Sequence, residues 1–548
     1  MSWGFSIRSS MGRGLRLAPL RGWGAALTLA ALGSTAGCAS AGDSGGQSAE
    51  VVGETSQALT THETACNGDP RVWEGLVTFD VCVGARIFFD EKFNGNGRTC
   101  SSCHPASNNF TIDRTFMQSL PATDPLFVAD DPSFPLSGLE VPELKTTGLI
   151  RENLDGFGDL DHRFVLRGVP HLFSMFTSLE RDATDGTSSA FAERTGWSGD
   201  GVTGGTLRDF TNGAIEQHFT KDLGRTPGTS FRVATASELD RVRAFQLALG
   251  RRNELNLNNV HLNDSFAEQG RLGFLDPQVG RCNECHGNAG ANAPATGKNA
   301  NFFGNFDQFA ADHASLPVLN GVTIRDGGFG GQSVPAPNVA VSVNTLVPDG
   351  FGDGSFNTAP LIEMADTGPF FHHNNVGSEG PGINLPSAIG FYSSTNFNDS
   401  PAGQKLIAQF GTPITLPGNS IIEIAAFLRV LNTFFNLDLA TQRLNAAKRI
   451  NQSYWDYRKD VQHGLLKLGR EEVADALRVL SSPDGPPLHV AEQATISNVL
   501  AKLDAAVATT DPGTRLLRTN EALSMIAGVR PSFGTGVAFT LGAGTLMF

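Results

Sequence analysis

The 548-residue chain is short of basic residues and of tyrosine, and it has no long apolar run. Forty-one Lys and Arg stand against 55 Asp and Glu, a formal charge of −14, which makes nucleic acid a poor partner. The apolar stretch at residues 24–32 is too short to remain in a bilayer as a spanning helix. Charged residues make up 18% and apolar residues 40%, a balance that suits a soluble globular protein rather than a disordered or membrane-embedded one. Cysteine is scarce enough, at seven, for every one to be assigned. Glycine is the excess, with 63 residues against a usual share of roughly 7%, and it implies much loop. The length exceeds what one core usually organises, so two or three domains are expected.

The first residues read as a targeting segment. Arg8, Arg13, Arg16 and Arg21 precede the short apolar run, and no acid occurs before Cys38. Thr35-Ala36-Gly37-Cys38 resembles a lipoprotein cleavage box, with Thr35 where Leu is usual. Residues 1–38 are therefore expected to direct export, leaving the protein in the periplasm or lipid-anchored to a bacterial cell envelope. Residues 39–65 read as a Ser-, Gly- and Thr-rich tether. Without the leader's four arginines the charge is about −18, which would attract a small basic redox protein.

Four cysteines lie in Cys100-Ser101-Ser102-Cys103-His104 and Cys282-Asn283-Glu284-Cys285-His286. Two thiols separated by two residues can add to the two vinyl groups of one haem, and the following histidine then faces the iron. Two such motifs in one exported chain predict two haem c groups, bound by Cys100, Cys103 and His104 and by Cys282, Cys285 and His286. A zinc site would instead require these ligands to converge. Cys66 and Cys82 remain, either as a disulfide or as two buried thiols.

The motifs sit in an internal duplication. Gly84-Ala85-Arg86-Ile87-Phe88-Phe89-Asp90 precedes the first and Gly270-Arg271-Leu272-Gly273-Phe274-Leu275-Asp276 the second. Each half closes with a predicted helix. One covers 237–249, with Ser237 and Asp240 as a capping-box pattern, and the other covers 421–431 behind a Ser420 cap. The expected fold is mainly α, with two tandem cytochrome c-type domains at 66–236 and 237–435. A helical extension without a catalytic motif follows at 436–548, its Gly-rich end carrying no signal.

The run from Phe88 through Asn94-Gly95-Asn96-Gly97-Arg98 to His104 resembles the first haem segment of bacterial di-haem cytochrome c peroxidases and MauG-type proteins. So do Arg167-Gly168-Val169-Pro170, Gly196-Trp197-Ser198-Gly199-Asp200-Gly201 and Thr367-Gly368-Pro369-Phe370-Phe371-His372. The resemblance implies that His104 holds the peroxide-reactive haem and His286 the electron-storing one, with Trp197 relaying electrons between them. It implies a calcium ion on the carbonyls of Thr367 and Pro369, although Gly168 replaces the family's Asn, and His373-Asn374 replaces Asp-Gly. His162 lies near the place of a switchable ligand in some members. The family's distal Gln is Phe210 here, leaving Glu216, Gln217 and His218 for acid and base work. Phe210, Ala214 and His218 share one helical face.

Three functions remain open on this scaffold. The first is hydrogen peroxide reduction with electrons from a small cytochrome c or similar donor. The second is an oxygenase resembling the di-haem rubber oxygenases, favoured by Phe210. The third is a non-catalytic electron carrier. In the family a methionine or tyrosine past the Phe-His motif completes the second iron. No methionine follows His372 until Met525, so Tyr392, one of three tyrosines, is the expected sixth ligand.

Overall fold

The two Gly-led segments before the cysteine motifs fold as amphipathic helices. In the computed structural model, α1 (Phe79–Asp90) starts at Thr78, whose hydroxyl accepts the Val81 N–H at 3.3 Å, and it buries Val81, Val83, Ile87 and Phe88. The second segment (Ser265–Leu275) starts at Asp264, whose carboxylate takes the N–H groups of Phe266 and Ala267. The structure describes residues 59–548 except 134–135, 141–143, 154–156, 158–159, 161–163, 180–205, 291–317, 320–321, 324–358, 373, 375, 377–383, 400, 455–458 and 484. The targeting segment, Cys38, most of the tether, His162, Trp197 and His373 lie outside the described residues.

The chain is mainly helical, with three short two-stranded antiparallel sheets among the described residues. Along the chain its helices include α1, α2 (Cys100–Cys103), α3 (Leu207–His218), α4 (Ala236–Leu247), α5 (Ser265–Leu275), α6 (Cys282–Cys285), α7 (Leu385–Phe391) and α8 (Gly418–Tyr454). They continue with α9 (Lys459–Ser481), α10 (Val490–Ala508) and α11 (Pro512–Val529). Strands β1 (Ile150–Glu152) and β2 (Val165–Arg167) form one hairpin.

The duplication has a physical counterpart. A Cβ on Gly84 would lie 1.8 Å from the Arg241 carbonyl oxygen, and one on Gly270 would lie 1.8 Å from that of Glu423. Helix α1 therefore crosses α4, and α5 crosses α8, at backbone contact, which only glycine permits at these two positions. The same residue of each repeat makes the same crossing.

Two helix boundaries differ from the sequence reading. The capping box of α4 is Thr235 with Glu238, not Ser237 with Asp240, because the Glu238 carboxylate reaches the Thr235 N–H at 2.8 Å while Thr235 Oγ1 accepts the Glu238 N–H. Ser420 caps nothing: α8 begins at Gly418 and runs past Leu431 to Tyr454, since neither Pro nor Gly interrupts it. The helix that closes the second half is thus also the first helix of the extension. Helices α9, α10 and α11 continue the bundle, and one apolar core includes Phe88, Phe245, Phe274, Phe427, Leu466 and Ile526. Cys66 and Cys82 form a disulfide, tying the first described helical residues to α1.

The Gly-rich end is structured. Residues 534–535 pair with 261–262, and the N–H groups of Gly542 and Gly544 donate to the carbonyls of Gly250 and Ala248, each at 2.8 Å. Side chains there would collide, since a Cβ on Gly542 would lie 2.1 Å from the Ala248 oxygen. The segment returns to the first half of the chain.

Candidate functional site

Both cysteine motifs take the same local form. Cys100–Cys103 and Cys282–Cys285 are single helical turns, and the N–H of the next residue closes each: His104 to the Cys100 carbonyl at 3.0 Å, His286 to the Cys282 carbonyl at 2.8 Å. All four cysteines are free thiols. Burial pushes the Cys100 and Cys282 thiols up to about 12, and that of Cys103 to about 11 against the opposing charge of Arg98.

The histidines are held alike. His104 Nδ1 faces the Phe110 carbonyl at 2.9 Å, and His286 Nδ1 faces the Ala359 carbonyl at 2.8 Å. A carbonyl can only accept, so Nδ1 carries the proton in both neutral rings, and the Pro170 carbonyl adds a weaker pull on His104. Burial holds both rings down at about 4, against the pull of these carbonyls, so each is neutral at pH 7. Two reduced thiols beside a neutral, oriented imidazole are the donor set that covalent haem attachment and iron ligation require. Among the described residues no group of three or more His, Cys, Asp and Glu side chains gathers as a metal-ion site.

The loop before the first motif also builds its surroundings. Asn96 gives its backbone N–H to the Phe219 carbonyl at 2.8 Å and its amide to the His218 carbonyl at 2.9 Å, fastening the end of α3. Arg98 is fully buried. Its guanidinium pairs with Glu140 at 2.8 Å and donates to the carbonyls of Pro125 and Leu126. Glu140 stays ionised at about 2, since Arg98 and His218 overcome the burial that would raise it. His218 Nδ1 stands 3.8 Å from Glu140 Oε1, and His218 is close enough to His104 to depress its basicity.

The distal candidates on α3 divide. His218 is buried and faces Glu140. Phe210 is partly buried on the same helical face. Gln217 is committed elsewhere, its Oε1 accepting the Asn153 N–H at 2.9 Å. Glu216 is partly buried, and burial holds its carboxyl above the ordinary range against the nearby Arg225. Sequence reasoning missed Glu140, which lies 78 positions from His218 in a segment without a motif.

At the second motif, Arg281 anchors the turn by donating to the carbonyls of Pro277 and Thr412. Tyr392, just after α7, places its ring perpendicular to that of His286 with centroids 6.3 Å apart, among Phe371, Phe391 and Phe397. Burial raises its phenol well above the usual range, with the Cys285 and Cys282 thiols adding to the effect.

Between the sites, the Gly168 N–H donates to the His372 carbonyl at 2.8 Å. The carboxamide of Asn374 fills the space beside Gly168 and donates to the carbonyls of Thr147 and Gly148. Thr367 and Pro369 lie in the same buried turn region, the Thr367 hydroxyl donating to the Glu363 carbonyl at 2.8 Å. No family model, no curated protein and no solved structure matches this chain.

Proposed function

We propose that this chain is a di-haem c-type oxidoreductase that reduces hydrogen peroxide at the His104 site with electrons delivered through the His286 site. The observation that carries the reading is the equivalence of the two motif turns, each with free thiols and a histidine whose Nδ1 proton is fixed on a backbone carbonyl. Bound haem would supply an iron that changes oxidation state one electron at a time. Two tandem cytochrome c-type domains at 66–236 and 237–435, extended by 436–548, are the arrangement this reading implies. Export accompanies it, either to the periplasm or to a lipid anchor at Cys38.

The reaction balances as H2O2 + 2 e⁻ + 2 H⁺ → 2 H2O, with both electrons from a small donor such as a basic cytochrome c, drawn by the chain's negative charge. The chain's own residues manage protons and orientation. His218 takes the proton from one peroxide oxygen and returns it to the other. Glu140, ionised and fixed by Arg98, steadies the cation that His218 becomes meanwhile. The Phe110 and Ala359 carbonyls orient the proximal rings. Trp197 is the proposed relay between the sites, and Tyr392 the sixth ligand of the second iron. A calcium ion would rest on the carbonyls of Thr367 and Pro369 without a side-chain oxygen from residue 168, and no step runs through it.

A second reading, an oxygenase, is favoured by Phe210, which puts an apolar ring where a peroxide-orienting Gln would stand. The purified holoprotein separates the two. Intact mass and a pyridine haemochrome assay should give two haems per chain. Spectral change on one equivalent of peroxide, with turnover of reduced cytochrome c, supports the peroxidase. Inertness to peroxide with oxygen-dependent cleavage of a polyisoprenoid replaces it with the oxygenase, and inertness to both leaves only an electron carrier.

A further inference from the structure

The carbonyl that holds His104 belongs to a residue in an unfavourable backbone conformation. Asn109 and Phe110 have φ of 53° and 58°, the left-handed region that a bulky residue such as phenylalanine rarely occupies. Such a conformation persists where the surroundings over-determine it. Hydrogen bonds give part of the constraint: the Phe110 N–H donates to the Pro105 carbonyl at 2.9 Å, the Thr111 N–H to the Asn108 carbonyl at 3.1 Å, and the Asn109 amide to the Asp366 carbonyl at 3.1 Å. Packing is added by the Phe110 ring. It stands among Phe88 and Phe89, each at 6.3 Å between centroids, Phe173 at 5.4 Å, and Phe548 at 4.9 Å.

Phe548 makes the closest of these contacts, edge to face at 83°, yet it comes from the Gly-rich segment 438 positions away. That segment is fixed independently of the ring. Arg71 donates to the Leu546 carbonyl at 2.7 Å, Thr545 Oγ1 donates to Gln442 Oε1 at 2.6 Å, and the Arg443 guanidinium lies 4.8 Å above the Phe548 ring. The extension therefore brings a rigid wedge to the back of the first motif.

We infer that Phe548 is a positioning residue for the proximal ligand His104, acting through Phe110 so that the end of the helical extension tunes the first iron. The inference rests on the proposal that haem is attached at Cys100 and Cys103. A short Nδ1–H···O=C bond makes the imidazole a stronger donor to iron, strengthening the Fe–His bond and lowering the potential. Removing the Phe548 ring frees Phe110 to relax toward an ordinary φ and swings its carbonyl away from Nδ1.

The test uses the full-length holoprotein, with haem content read first. Absence of haem from the Cys100–Cys103 pair in the wild type defeats the underlying proposal and is seen without any variant. With haem present, Phe548→Ala should lower the ferrous Fe–His stretching frequency and raise the midpoint potential of the His104 haem, leaving the His286 haem unchanged. Phe548→Tyr, which keeps the ring, should restore both values. If Phe548→Ala does not accumulate as folded protein, Phe110→Leu breaks the same contact and should give the same one-sided shift. Wild-type values in the ring-deleting variant, or an equal shift at both haems, overturn the inference.

Discussion

A Cβ placed on Gly168 would stand 2.2 Å from Oδ1 of Asn374, so the side chain missing at one position is supplied from the other. The family resemblance proposed for this chain implies an Asn at the place of Gly168 and a Gly at the place of Asn374. The exchange is physically coherent. Asn374 has a φ of 55°, which glycine tolerates freely and asparagine better than most, and its amide ties this turn to Thr147 and Gly148. Two departures that look unrelated in sequence are one packing solution.

The exchange predicts coupling. Gly168→Ala should cost about 1–3 kcal/mol, because the methyl must displace a hydrogen-bonded carboxamide. Gly168→Asn with Asn374→Gly should cost less than the two single changes together, by roughly 0.5–3 kcal/mol. Urea unfolding of the four proteins measures this, and additive losses would show that the two sites are independent.

His218 and Glu140 should fail in different ways. His218→Ala should slow the proposed peroxide turnover by about 10²- to 10⁴-fold while the proposed haem content and the folded state are retained. Glu140→Gln leaves the buried Arg98 without its counter-charge and should cost about 3–5 kcal/mol of stability as well. Steady-state kinetics paired with thermal unfolding distinguish them. Unchanged turnover in His218→Ala would remove it from the chemistry.

Tyr392→Phe examines the second iron. A phenolate is a hard, anionic ligand that stabilises the ferric state. Its loss should raise the potential of the His286 haem and change the low-spin EPR signal, with haem content constant. If neither moves, His372, which is buried, or His373 becomes the next candidate.

Acid stability follows from two depressed carboxyls. Glu140 and Glu91 both titrate at about 2 rather than the ordinary 4.5. Burial opposes the shift in each, outweighed by Arg98 and His218 for Glu140 and by His62 and Arg232 for Glu91. A lowered folded-state value means that the unfolded chain takes up protons first. The stabilisation is full above about pH 4.5 and is lost as pH falls toward 2. Thermal unfolding should show a midpoint that drops across that window, less steeply in Glu140→Gln. A flat profile between pH 4.5 and 2 would mean that neither carboxyl is held as described.

The sequence by itself determined whatever depends on neighbours a few positions apart. The two Cys-x-x-Cys-His turns, the helical periodicity and the repeat of glycines 84 and 270 are local patterns, and the turns follow from them, whereas the helices that cross at those glycines come from far along the chain. It placed helix ends poorly, at Ser237 and Ser420, because several residues near each boundary had capping chemistry and only the fold selects one. Tertiary structure decided what stands around the motifs. Glu140 reaches His218 from a segment without a motif, Asn374 fills the space of Gly168 from 206 positions away, and Phe548 packs on Phe110 from 438 positions away. These contacts join segments far apart in the chain, and burial energy rewards any apolar surface removed from water without naming its partner. Which ring or carboxylate arrives is settled only when the whole chain has packed.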